Sequence, residues 1–183
     1  LALANLGIAP AEISRVILTH AHGDHILGAT VQRGSDWVPT FPNAQYLLQT
    51  ADYDALQQDE PTLWQTRLEP LQVAGVLRLV EGAVWLDDIL RLWPTPGHTV
   101  GHQCVLVRAE ARDVVVLGDL VIFAESFAHP QWTAGWAWSR EQDLASRRSV
   151  AEWAVDHDAL LVLPHDPAYP FVRLERDGEA YRV

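Results

Sequence analysis

The stretch Arg15-Val16-Ile17-Leu18-Thr19-His20-Ala21-His22-Gly23-Asp24-His25 decides the reading of this chain. After Arg15, the run Val16-Ile17-Leu18-Thr19 is apolar or β-branched throughout, the pattern of a buried strand. Three histidines and an aspartate then fall within six residues. Imidazole and carboxylate are zinc-type donors. An extended segment sends alternate side chains the same way, so His20 and His22 can grip one cation together. Gly23 lets the chain turn, and Asp24 and His25 then face a second cation.

Three further clusters follow the same plan, a strand and then a ligand-type residue. The strand Ile89–Trp93 precedes Thr95-Pro96-Gly97-His98-Thr99-Val100-Gly101-His102, in which glycines flank His98. Val114–Leu117 precedes Gly118-Asp119, and Ala159–Leu163 precedes Pro164-His165-Asp166. Taken singly, each fits a turn or a cap. All four lie at carboxyl ends of strands, where α/β proteins place chemistry, and so can converge on one edge. Together they supply donors for two metal ions and no thiolate. That set suits zinc, with manganese, iron or cobalt as alternatives.

The remaining elements are read from pattern. Leu1–Ile8 is the end of a helix closed by Gly7, and Ala11–Ser14 a turn. Gln45–Gln49 and Gln103–Arg108 are strands. Ala51–Gln58 is a helix with Thr50 at its N-cap, and Pro61–Leu68 another. Arg140–Val155 has helical spacing in Leu144, Val150, Trp153 and Ala154, with Ser139 as N-cap. Phe171–Val183 is a hairpin turning at Asp177-Gly178. Strands interleaved with helices give an α/β or α+β class, and residues 1–183 are expected to form a single domain.

Composition excludes several functions. Hydrophobic residues make up 49% and charged residues 20%, ordinary for a soluble globular chain. No apolar run approaches the roughly 20 residues that cross a bilayer, so no membrane partner is expected. The net charge of −11, with all 13 basic residues arginine, argues against nucleic acid as partner. The absence of lysine removes any Schiff base. One cysteine, Cys104, excludes an internal disulfide and reads as a small core residue. With no methionine, the expectation is a chain that starts inside a longer protein. Cytoplasmic placement is expected, with secretion left open, and a homodimer is compatible with the sequence.

The order His-x-His-x-Asp-His, Gly-His-Thr-x-Gly-His, Gly-Asp and a late histidine resembles the metallo-β-lactamase superfamily. The resemblance spans essentially the whole chain. It implies an αββα sandwich, here lacking its N-terminal strands, with the metals at one edge between the sheets. It also implies that His20, His22 and His98 hold the first zinc, Asp24, His25 and His165 the second, and that Asp119 bridges both. His102 then supports the loop without binding metal. Gly97-His98-Thr99 to Gly101-His102-Gln103, Phe41-Pro42-Asn43-Ala44, and His165 leading into Pro170-Phe171 and Gly178 to Arg182 resemble the branch of N-acyl-homoserine lactonases and methyl-parathion-hydrolase-like enzymes. Lactonases resemble one another in a tyrosine three residues past the bridging aspartate, where this chain has Ile122.

The expected reaction is dinuclear zinc-dependent hydrolysis of a small-molecule ester or lactone. Two zinc ions about 3.5–4 Å apart share a water, lower its pKa towards ~7, and present a bridging hydroxide to the carbonyl. Asp119 is committed to the metals, and Asp24 carries a proton to the leaving group. The aromatic stretch after Asp119, with Ile122, Phe123, Trp132, Trp136 and Trp138, offers an apolar wall for the substrate. His129 and His157 read as surface residues. Asp166 either orients His165 or is solvated. Alternatives are a phosphotriesterase-like enzyme, a glyoxalase-II-like thioester hydrolase, or a non-catalytic, truncated metal-binding module.

Overall fold

The computed structural model describes residues 2–183. The chain divides into two compact units, Leu1–Val80 and Glu81–Val183.

In the first unit a short helix, α1 (Ala2–Asn5), precedes Gly7, whose φ of +72° breaks the helical path. Leu1, the first residue of the expected helix end, lies outside the described residues. A 3-10 turn at Pro10–Glu12 leads into β1 (Arg15–Ile17), shorter than the run Arg15–Thr19. Next come α2 (Gly23–Ile26) and a hairpin of β2 (Thr30–Arg33) and β3 (Asp36–Pro39). After β4 (Gln45–Gln49) follow α3 (Thr50–Asp59), α4 (Pro61–Arg67), α5 (Glu69–Val73) and β5 (Leu77–Val80). β4 sits between β1 and β5 and runs parallel to both. Its Tyr46 and Leu48, two positions apart and so on one face of the sheet, are fully buried in a core with Ile26, Leu68 and Leu71.

One expectation changes here, and one element is added. Gln49, in extended conformation, holds the N-cap position of α3, and Thr50 lies in its first turn. The strand runs straight into the helix with no loop between, so the Thr50 hydroxyl reaches across to the Val80 carbonyl at 3.2 Å. The hairpin β2–β3 escapes pattern reading because its strands are largely solvent-facing and mix polar with apolar residues.

The second unit is built on a six-stranded sheet. β6 (Val84–Trp85), β7 (Leu90–Pro94), β8 (Gln103–Val107) and β9 (Val114–Val116) pair antiparallel in succession. Helix α6 (Arg140–Asp156) follows, and β10 (Leu160–Val162) returns parallel to β9. β11 (Phe171–Val172) closes the far edge against β10, which corrects the single hairpin expected over Phe171–Val183. The hairpin proper is β12 (Glu175–Asp177) with β13 (Ala180–Arg182), turning through Gly178 at φ +64°. Ser139 caps α6, its hydroxyl accepting the Gln142 amide at 3.4 Å. The buried face of α6 carries Val150, Ala151 and Ala154, as its periodicity predicts, but its first turns bury Asp143 and Arg147, with Leu144 only half-buried.

The strand directions matter for function. β7 and β9 both oppose β8, and β10 follows β9, so β7, β9 and β10 run the same way. Their carboxyl ends therefore share one edge of this sheet, and His98, Asp119 and His165 all come off that edge.

Candidate metal centre

In the first unit the donors follow β1. His20 is completely buried, and its Nδ1 lies 3.1 Å from the Thr19 hydroxyl. The His20 ring centroid is 4.8 Å from that of His22 and 4.0 Å from that of His25. Asp24 lies 3.5 Å from His25 Nε2. The turn after His22 is the start of α2, with His22 at the N-cap. Gly23 there has no left-handed φ, and a Cβ would meet only Leu63 Cδ2 at 3.9 Å, so the expected need for glycine at this turn is not found in the backbone or the packing.

An aspartate that pattern reading passed over holds this loop. Asp52, in the first turn of α3, is 2% exposed and accepts the Ala21 amide at 2.9 Å from 31 positions away. That bond fixes the backbone midway between His20 and His22. A carboxylate in a helix's first turn also meets the positive end of the helix dipole.

In the second unit Asp119 is the centre. One carboxylate oxygen lies 3.3 Å from His98 Nε2 and the other 3.1 Å from His165 Nε2. Behind it, His102 Nε2 accepts the Asp119 amide at 3.1 Å, while His102 Nδ1 meets the Thr95 hydroxyl at 2.8 Å and the Thr95 carbonyl at 3.2 Å. Accepting at Nε2 requires the proton on Nδ1, which the Thr95 carbonyl then accepts. His102 thus spends both ring nitrogens on orienting its neighbours.

Gly97 is required by the backbone. Its φ is +142°, and a Cβ there would strike the Asp143 backbone of α6. The loop is latched to the start of that helix: the Ser139 amide donates to the Gly97 carbonyl at 2.9 Å and the Trp138 amide to the His98 carbonyl at 3.1 Å. Asp166 ties the other strand ends together. It accepts the Ala124 amide at 2.8 Å on one oxygen and the Ala168 and Tyr169 amides at 3.0 Å on the other. The Ala124 amide first, with those of Tyr169 and Ala168, holds its carboxyl below the usual range. It is a buried tie between the segment after Asp119 and the loop after His165, and the solvated alternative is set aside.

A cavity of about 310 Å³ opens beside Asp119, lined by Ile122, Phe123, Trp132 and Trp136. Trp138 is not part of that lining; its indole is exposed and its contribution is the amide given to His98. Under the wall lies a buried ion pair. Asp143 accepts from the Thr133 hydroxyl at 2.5 Å and from Arg147 Nη2 at 3.1 Å, and Arg147 Nη1 donates to the Trp132 carbonyl. Burial pushes the Asp143 carboxyl above its ordinary range despite those partners, and the Arg147 guanidinium below its own. Hydrophobic periodicity cannot show such a pair; an Asp–Arg spacing of four within a helix is the signal that could. Cys104 is fully buried, with its thiol pushed up to about 12 by burial, which suits a core residue and no nucleophile. His129 stacks on Trp132 and His157 on Trp153.

The donor chemistry of both sets fits a divalent transition metal. Each set gathers imidazoles with a carboxylate, without thiolate, and in each a histidine is buried, His20 in the first and His98 in the second.

Residues 1–171 match the model of the metallo-β-lactamase superfamily, and the chain belongs to that superfamily. An N-acyl homoserine lactonase of Bacillus sp is 28% identical over 165 residues, 90% of this chain and 60% of that protein. The chain thus spans about 60% of the length of the curated relatives it matches. Among solved structures, a probable metal-dependent hydrolase from Staphylococcus aureus superposes with a TM-score of 0.83 at 22% identity, covering 99% of this chain and 65% of the other. The dizinc quorum-quenching lactonase AidC superposes with a TM-score of 0.77 at 21% identity, covering 98% and 66%. These likenesses establish a mixed helix-and-sheet chain of the metallo-β-lactamase fold. Among the described residues, no helix is long and apolar enough to cross a membrane.

Proposed function

We propose that this chain belongs to a metal-dependent hydrolase that opens carboxylic esters or lactones of small, neutral, partly apolar molecules. The observation that carries the reading is Asp119, which turns one carboxylate oxygen to His98 and the other to His165, in a chain of this superfamily. His20, His22 and His98 would hold one zinc ion, Asp24, His25 and His165 a second, and Asp119 both. When bound, such ions supply Lewis acidity, lowering the pKa of water towards about 7 and polarising a carbonyl oxygen.

The chain's own residues supply the rest. His102 sets the direction of the Asp119 side chain through the amide bond behind it. Asp24 is 64% exposed, which suits a carboxyl that hands a proton to the departing alkoxide. Ile122, Phe123, Trp132 and Trp136 receive the apolar part of the substrate and exclude water around it. Ile122 has no hydroxyl to donate to a substrate carbonyl, which favours broad ester and lactone hydrolysis over a dedicated acyl-homoserine lactonase. A net charge of −11 without lysine disfavours polyanions.

The test is kcat/KM of metal-replete protein on a simple lactone, an aryl ester, an aryl phosphotriester and a β-lactam under one set of conditions. The carbonyl esters should lead, with the phosphotriester as a side reaction. A β-lactam turned over about tenfold better than both carbonyl esters, a difference worth roughly 1.4 kcal/mol, overturns the substrate assignment. Turnover of nothing would leave a metal-binding module.

A further inference from the structure

Arg147 stands between two cavities. One is the space of about 310 Å³ beside Asp119, behind Trp132 and Trp136. The other, of about 300 Å³, is lined by the apolar Phe127 and Leu144 together with Gln131, Arg148, Glu179 and Tyr181. Among the described residues, Arg147 and the small Ser126 alone line both. Arg147 is 7% exposed, and its guanidinium donates through its two terminal nitrogens to Asp143 at 3.1 Å and to the carbonyl of Trp132, itself part of the wall. Thr133, the next residue of that wall, is bound to the same Asp143 carboxylate at 2.5 Å. Long charged side chains are almost never this buried unless paired, and the cost of desolvating such a pair offsets much or all of its attraction. An apolar pair would pack the helix as well. What the ion pair adds is a bulky group pinned in one place between two hollows.

We propose that Arg147 is a specificity-determining partition: it limits the length of the apolar arm that the substrate extends past Asp119, and Asp143 is the positioning residue that holds it there. The substrate class is then an ester or lactone with a short acyl or alkyl arm. The proposal rests on the hydrolase reading above for its link to turnover, though not for its link to binding. Shortening Arg147 joins the two hollows, and each further methylene taken out of water then gains about fourfold in kcat/KM.

The experiment uses three variants of the metal-replete protein. Arg147→Ala with Asp143→Asn opens the partition without leaving an unpaired charge, and Asn still accepts from Thr133. Arg147→Met with Asp143→Asn removes the charge and keeps the bulk. Arg147→Lys keeps the charge against Asp143, and with it the fold, while thinning the partition. Hydrolysis is measured on p-nitrophenyl esters from acetate to dodecanoate. Binding of the matching free carboxylates is followed by tryptophan fluorescence, since Trp132 and Trp136 line the cavity. The alanine variant should raise the decanoate-to-butyrate ratio more than about tenfold and the lysine variant about threefold, with the methionine variant near the parent, because it is bulk and not charge that blocks the arm. Chain-length profiles unchanged in the alanine and lysine variants overturn the proposal, as does a methionine variant that shifts as far as alanine. If the parent hydrolyses no ester but the alanine variant gains affinity for long carboxylates, the partition stands and the hydrolase reading fails.

Discussion

The backbone amide of Asp119 donates to Nε2 of His102 at 3.1 Å. This one bond fixes the tautomer of His102, because the ring then carries its proton on Nδ1 for the Thr95 carbonyl at 3.2 Å. It also removes His102 from any set of metal donors, since its acceptor nitrogen is in use. His102→Ala should therefore lower activity or metal affinity by about 10–100-fold, the usual cost of losing an orienting group. His98→Ala and Asp119→Ala should cost more. Equal damage from His102→Ala and His98→Ala in kcat/KM would show that the division between binding and orienting roles is misplaced.

Metal content checks the site as a whole. Seven ligand-type residues exceed what one tetrahedral ion uses, so elemental analysis after metal-replete expression should find about two equivalents per chain. A chelator should lower the melting temperature, because a ligand bound only by the folded state stabilises it. One equivalent or none would dismiss the dinuclear arrangement.

Gly97→Ala should be poorly tolerated. The new Cβ meets the Asp143 backbone, and φ at +142° is strained for any other residue. Strain and overpacking each cost about 1–3 kcal/mol. A urea midpoint equal to the parent's would mean that the His98 loop stands clear of α6.

Arg147→Met alone should destabilise by about 3–5 kcal/mol, since it leaves Asp143 charged and buried. Adding Asp143→Leu should recover most of that loss. The pH dependence has a definite sign. Burial raises the Asp143 carboxyl above its unfolded value, so the stability linked to its protonated form is present at low pH and is lost as pH rises through the folded value. The gap in melting temperature between parent and Arg147→Met should therefore narrow as pH falls towards the ordinary carboxylate range near ~4. A gap independent of pH would show that the charge of Asp143 is not what destabilises the single variant.

Cys104 should not react with iodoacetamide in the native protein at pH 8. Its thiol is fully buried and pushed up to about 12, leaving almost no thiolate. Labelling should follow unfolding in guanidinium. Rapid native labelling would mean that the strands around it open readily.

Much of this protein is local and was therefore legible in its sequence. Runs such as Val114–Val116 form strands because β-branched side chains pack on a pleated surface, and the donors follow them within a few residues. The spacing of His20, His22, Asp24 and His25 alone places two pairs of ligand-type residues on one short segment. Tertiary structure decided what lies far apart along the chain. Asp52 reaches Ala21 across 31 positions and Asp166 reaches Ala124 across 42, and no local pattern announces a carboxylate that serves a distant amide. Asp143 and Arg147 break the apolar stripe of α6 because each is buried against the other and against the wall at Trp132 and Thr133. The sequence placed His98, Asp119 and His165 at carboxyl ends of strands and expected them on one edge; the strand directions that bring this about, with β7, β9 and β10 running the same way, came only from pairing between distant segments.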